Sequence, residues 1–100
     1  EGIAELKKAL VFEEDNPTAW RILAEAYDRK GEDGLARLAT AEGYFAAGAT
    51  RQARVFAMRA RDLLDRDTID WRRATDIVLV SEPSDEDLRA LAREGAVTRR

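Results

Sequence analysis

Apolar residues recur three and four positions apart along most of this chain, which is the spacing of one face of an α-helix. Polar breaks that contain Asn, Pro, Gly or Asp separate successive segments. The pattern predicts an all-α fold with helices at about 3–13, 17–30, 34–47, 51–64 and 68–80. Ser84 and Asp87, spaced like a capping box, predict a sixth, short helix at about 85–93. We expect residues 1–80 to form one helical domain and residues 81–100 a C-terminal extension.

The second segment has the most regular pattern. Its apolar residues lie three, four and seven apart and would share one helical face: Trp20, Leu23, Ala24 and Tyr27. Because a small residue stands between large rings, a neighbouring helix can approach closely at Ala24. Pro17 suits the first turn of this helix, and Gly31 suits the position just after its end. We therefore expect Trp20 and Tyr27 to be core residues, and Trp71 likewise.

The third and fourth segments differ in their polar surface. The third is apolar nearly all round between Leu35 and Ala46, so it should be packed on most sides. The fourth should lie on the surface, because one side is apolar and the other carries four arginines: Arg51, Arg54, Arg59 and Arg61. Before the fifth segment, Asp67 and Asp70 are spaced like a capping box and predict where its helix begins.

Composition limits the chemistry of the chain. It has 100 residues, 45% of them hydrophobic, and neither His nor Cys. Tetrahedral zinc sites and the common nucleophile–base pairs use imidazole or thiolate groups, so we expect no catalytic residue, metal or cofactor in this segment. A calcium loop is disfavoured because Asp70 stands where the central Gly belongs, and capping explains the local acids better: Asp62, Asp65, Asp67 and Asp70.

The sequence also bears on location. No apolar window is long enough to span a bilayer, and no signal-type segment is visible. The chain begins at Glu1, without Met and within a helical pattern. We expect it to be part of a longer protein, with any targeting signal outside this segment.

The run from Asn16 to Tyr27, followed by Arg29–Gly31, resembles the first helix and turn of a tetratricopeptide (TPR) repeat, a helical hairpin of about 34 residues. The pattern then departs, because Thr40 and Gly43 stand where an aromatic residue and Ala are usual. A second-helix pattern reappears 17 residues late, from Tyr44 to Ala60. The resemblance implies antiparallel helical hairpins stacked as a right-handed solenoid of five or six helices, with a binding function and no catalysis.

The longer succession from Ile3 to Asp76 resembles the C-terminal TPR region of bacterial periplasmic zinc metallopeptidases of the HExxH, CAAX-protease-like family. It includes Leu35–Ala39, Phe45–Gly48, Gln52–Arg54 and, after an Asp cluster, Trp71. The resemblance implies a periplasmic scaffold that recruits substrates or partners to a protease, with the zinc in a domain upstream of this segment. The alternatives are a TPR adaptor of a non-enzymatic assembly or secretion protein, and a self-association module.

TPR solenoids bind ligands along the concave side formed by their first helices. The resemblance therefore implies a groove with six residues of the second segment: Thr18, Arg21, Ile22, Glu25, Asp28 and Arg29. Ile22 points away from the Trp20–Tyr27 face and could anchor a peptide, or another part of the chain or a neighbouring molecule could cover it. A carboxylate clamp is disfavoured, because Glu25 replaces the expected Asn.

The four arginines at 51, 54, 59 and 61 are a candidate basic surface. Acidic residues outnumber basic ones nine to five in residues 1–34, so the charge is unevenly distributed. The arginines could form a solvated face, meet an anionic protein surface such as the acidic half of a second copy, or bind nucleic acid. A net charge of −3 and a pI near 5.0 argue against nucleic acid. We expect protein or peptide partners and a homodimer through the exposed repeat edge at the first helix.

Overall fold

The computed structural model describes residues 2–13 and 15–81, which form five α-helices. They are α1 (Gly2–Phe12), α2 (Pro17–Arg29), α3 (Asp33–Ala46), α4 (Thr50–Leu63) and α5 (Ile69–Val80). The all-α prediction is confirmed. Most predicted helix ends differ by one residue from those in the structure, and the others agree. The predicted helix at 85–93 lies outside the described residues.

The ends of α2 follow the sequence signals. Asn16 is the N-cap residue, and its side chain accepts a hydrogen bond from the Ala19 N–H at 3.1 Å. Pro17 occupies the first turn, where no intrahelical donor is needed. Gly31 follows the helix with a φ of 81°, a left-handed conformation that glycine adopts without steric cost. These residues explain why the helix occupies this stretch of chain.

The predicted capping box at the start of α5 is wrong. The N-cap residue is Thr68, whose side chain accepts a hydrogen bond from the Trp71 N–H at 3.2 Å. Asp67 has a φ of 69°, which places it in the left-handed region instead of the extended conformation typical of an N-cap. Asp70 lies in the first turn, where its charge interacts favourably with the helix dipole.

Two hydrophobic clusters hold the helices together, and α3 contributes to both. The first cluster joins α1, α2 and α3 through six buried residues: Leu10, Leu23, Ala24, Tyr27, Ala36 and Ala39. The second joins α3, α4 and α5 through seven: Leu38, Ala41, Ala53, Ala57, Ala60, Ala74 and Ile77. The expectation that the third helix is packed on most sides is confirmed, because α3 contacts α2, α4 and α5.

The order of contacts explains the shape of the fold. Short connections make successive helices antiparallel neighbours, and α3 and α5 also contact each other. Among the described helices, α1 contacts only α2, and neither α1 and α5 nor α2 and α4 are in contact. This arrangement leaves a gap between α1 and α5. A right-handed solenoid stays a prediction.

Candidate functional site

A groove lies between α1 and α5, with a floor formed by α2 and α3. Its volume is about 460 Å³. The lining residues come from four helices: Lys7 and Leu10 of α1; Trp20, Leu23 and Tyr27 of α2; Leu35, Leu38, Ala39 and Glu42 of α3; and Ile69, Asp70 and Arg73 of α5. We call this the α1–α5 groove.

The floor of the α1–α5 groove is apolar because it is the upper surface of the core. Leu23 and Tyr27 are buried, as the sequence predicted, and Trp20 is half-buried against the same cluster. The aromatic face of α2 therefore has two roles. It packs α2 onto its neighbours, and it leaves part of its surface accessible in the groove.

Ile69 forms an apolar edge on the α5 side of the groove. It is the first residue of α5, and 86% of its surface is exposed. Burying an isoleucine side chain fully is worth roughly 1.5–3 kcal/mol, so a ligand that covered Ile69 would gain binding free energy from it. Single exposed apolar residues are common on protein surfaces. Ile69 differs from them because it lines the same groove as the apolar residues of the floor.

A bidentate ion pair holds α5 against α3 beside the groove. Arg73 donates from Nε to Glu42 Oε2 at 2.6 Å and from Nη2 to Glu42 Oε1 at 2.7 Å. The Glu42 side chain is only 12% exposed, against 42% for Arg73. The Arg73 guanidinium also lies 5.8 Å from the ring centre of Phe45. Two parallel hydrogen bonds fix the relative position of the two helices as well as neutralising both charges.

An acidic cavity lies next to the α1–α5 groove, at the ends of the helices. This cavity has a volume of about 450 Å³ and shares Leu35 and Asp70 with the groove. Four carboxylates line it: Glu32, Asp33, Asp65 and Asp70. Its other described lining residues are uncharged. The two neighbouring depressions therefore differ in chemistry: the lining of the groove is mainly apolar, and the charged residues of the cavity are all carboxylates.

A smaller groove of about 280 Å³ lies between α2 and α3. Its lining residues are Pro17, Thr18, Arg21, Thr40, Gly43, Tyr44 and Ala47. The two helices approach closely here, since a Cβ added to Gly43 would lie 3.2 Å from the Trp20 Cβ. Glycine at 43, where the TPR pattern has Ala, therefore has a packing reason.

The structure does not place the six predicted groove residues in the α1–α5 groove. Thr18 and Arg21 line the smaller groove, and Ile22 is 43% exposed outside both. Glu25 accepts a 3.5 Å hydrogen bond from Arg21 across one turn of α2. Asp28 and Arg29 are exposed. A binding role for these six residues stays a prediction.

The four arginines of α4 have different surroundings. Arg51 and Arg59 are exposed, whereas Arg54 and Arg61 are half-buried. The Arg59 guanidinium lies 5.3 Å from the ring centre of Phe56, and that of Arg61 lies 4.8 Å from the ring centre of Trp71. The cation–π contact between Arg61 of α4 and Trp71 of α5 stabilises the packing of the two helices. A binding role for the set stays a prediction.

Sequence reasoning missed the residues of the α1–α5 groove that lie on α3 and α5. Glu42 carried a usable signal, because a lone acid in an almost wholly apolar helix requires a partner when it is buried. Ile69 carried none, because its neighbours in sequence do not show that an apolar floor lies beside it. Groove residues from α5 can be identified only when the contact between α3 and α5 is known.

None of the described helices is both long and apolar enough to cross a lipid bilayer. Within residues 2–13 and 15–81, no three acidic side chains are grouped so that they could hold a metal ion. Comparison of the chain with protein-family models, with curated proteins and with solved structures returned no match. The geometry and chemistry of the groove are therefore the basis for inferring function.

Proposed function

We propose that this chain is a non-catalytic protein–protein interaction module that binds a peptide segment of its partner in the α1–α5 groove. The observation that supports this proposal is the exposed apolar edge at Ile69 beside a floor of Trp20, Leu23 and Tyr27. Apolar side chains of a peptide would bury both surfaces at once. Water would be displaced from the rings of the floor, which is the main source of binding free energy in such grooves.

The polar residues of the groove favour binding over catalysis. Among the described residues that line the groove, four are charged, and two of these, Glu42 and Arg73, are bonded to each other and hold α5 in place. Lys7 and Asp70 come from opposite walls. A nucleophile with an adjacent base, as covalent catalysis requires, is not among the described lining residues.

At a finer level, we propose a TPR module from a larger bacterial periplasmic zinc metallopeptidase, in which it recruits substrates or partners. The run from Asn16 to Tyr27 supports the repeat family, and the run from Ile3 to Asp76 supports the protease family. The alternatives are an adaptor of a non-enzymatic assembly or secretion protein and a self-association module. The sequence of the full-length gene separates them: an HExxH helix and a signal peptide upstream support the protease, and absence of both discards it.

Ile69→Glu tests the groove, and Ile22→Glu is its matched control. A library of random peptides displayed on phage is selected on the wild-type chain, and the selected peptides are measured by fluorescence polarisation. We expect Ile69→Glu to weaken binding by about tenfold or more, since it places a charge on the apolar edge. Ile22→Glu should leave the affinity nearly unchanged, because Ile22 lies outside the groove. Far-UV circular dichroism confirms that both variants remain helical.

The sequence-based hypothesis predicts the reverse. If Ile22 is the peptide anchor, Ile22→Glu abolishes binding and Ile69→Glu does not. That result would move the site to the outer face of α2. A selection that enriches no peptide, with the wild-type chain folded, would contradict the proposed function itself.

A further inference from the structure

We infer that the occupant of the α1–α5 groove is a peptide segment of a partner protein that carries apolar side chains next to basic ones. This inference rests on the proposed function and specifies the chemistry of its ligand. It depends on charge complementarity between a ligand and the acidic cavity that adjoins the groove.

The groove and the acidic cavity are adjacent, because two residues line both of them. Leu35 and Asp70 border the apolar groove and the acidic cavity alike. Leu35 lies on α3, and Asp70 lies in the first turn of α5. A segment bound in the groove that extends past Leu35 and Asp70 would therefore reach the acidic cavity.

The acidic end receives its carboxylates from two separate connections. Glu32 and Asp33 lie where α3 begins, and Asp65 and Asp70 lie on either side of the start of α5. No described lining residue of the cavity is basic. Four like charges around one cavity attract arginine or lysine and repel acidic ligands.

The rest of the groove adds little opposing charge. Glu42 and Arg73 neutralise each other through their bidentate ion pair. Lys7 lies on α1, the wall opposite α5, and does not line the acidic cavity. The apolar part of a ligand would therefore lie over Trp20 and against Ile69, and its basic part would lie among the carboxylates.

Three synthetic peptides with the same apolar half test this chemistry. Their second halves contain arginines, glutamines or glutamates, and binding to the wild-type chain is measured by isothermal titration calorimetry. We expect the arginine peptide to bind about tenfold or more tightly than the glutamate peptide, with the glutamine peptide between them. The preference should shrink as NaCl is raised, since the carboxylates are exposed and salt screens them.

Two double variants locate the preference. Glu32→Gln with Asp65→Asn removes two charges at the acidic end, and we expect about a fivefold loss of affinity for the arginine peptide. Glu25→Gln with Asp28→Asn removes the same charge from α2 outside the groove, and it should change the affinity by less than about twofold. All four residues are exposed, so both variants should keep the fold.

The outcomes separate this inference from the proposed function. Equal binding of the three peptides, or an equal loss in the two double variants, contradicts the charge preference and leaves groove binding intact. Selected peptides that require Ile69 but lack basic residues do the same. If Ile69→Glu does not weaken any selected or synthetic peptide, groove binding itself fails, and this inference fails with it.

Discussion

At the residue scale, the two capped helix starts differ in how firmly the sequence determined them. Asn16 precedes Pro17, and that pair left one position for the N-cap of α2. Before α5, several residues can each cap a helix, including Asp65, Asp67 and Thr68. The backbone made the selection: Thr68 has the extended conformation of an N-cap residue and its hydroxyl accepts from the Trp71 N–H, whereas Asp67 has a left-handed φ.

Removing this cap should have a measurable cost. Thr68→Ala should lower the free energy of unfolding by about 1 kcal/mol, because the Trp71 N–H loses its acceptor. Asp67→Gly should raise it by about 0.5 kcal/mol, since glycine adopts a positive φ without strain. Urea unfolding followed by circular dichroism measures both. A larger loss for Asp67→Gly than for Thr68→Ala would restore the predicted capping box.

At the element scale, α3 and α5 are joined by the most specific contact in the described part of the chain. Glu42 is the one acidic residue of α3 beyond its first turn, and it lies opposite Arg73. The partners are 31 positions apart in sequence. Because Glu42 is largely buried, the pair restricts how α5 can sit on α3, and it thereby sets the position of the groove wall.

Breaking this ion pair should destabilise the fold. Arg73→Met replaces the guanidinium with an apolar side chain of similar length and leaves the Glu42 carboxylate without its bidentate partner. This should lower the free energy of unfolding by about 1–3 kcal/mol. Arg21→Met is the matched control. Its pair with Glu25 is exposed and 3.5 Å long, so it should cost less than about 0.5 kcal/mol.

Adding Glu42→Gln to Arg73→Met should recover part of the stability, because a buried amide is cheaper than an unpaired buried charge. Chemical denaturation of the wild type, Arg73→Met, Arg21→Met and the double variant measures these differences in the free energy of unfolding. Equal stability of wild type and Arg73→Met would mean that hydrophobic packing alone positions α5.

At the scale of the whole molecule, the described helices differ in how many neighbours they have. α3 has three neighbours, whereas α1 has one among the described helices. The apolar residues Ile3 and Leu6 of α1 are half-buried against the first cluster. A helix with one neighbour at the end of a stack offers an edge for another helix pair.

This edge supports the predicted self-association. We expect a concentration-dependent dimer, because pairing of two α1 edges would bury the accessible parts of Ile3 and Leu6, which are half-buried in one chain. Analytical ultracentrifugation over a range of concentrations measures it. A monomer at about 100 μM would contradict the dimer, since a useful interface should be populated there.

The sequence predicted much of the fold but little of the α1–α5 groove. It identified the five helices and the core face of α2, because spacing and capping are local properties. It did not identify Ile69 or Arg73 as groove residues, since their surroundings come from α2 and α3. The predicted residues Thr18 and Arg21 do meet in a groove, but in the smaller one between α2 and α3.

The amino-acid sequence by itself determined the approximate extent of each helix and which sides of the helices are buried. Hydrogen bonding within a helix and the three- and four-residue spacing of its faces depend only on nearby residues. Only the tertiary structure decided that α1 and α5 stand apart over a shared floor, with carboxylates from two connections at one end. That arrangement depends on how side chains from distant segments pack together, and no local pattern in the chain specifies it.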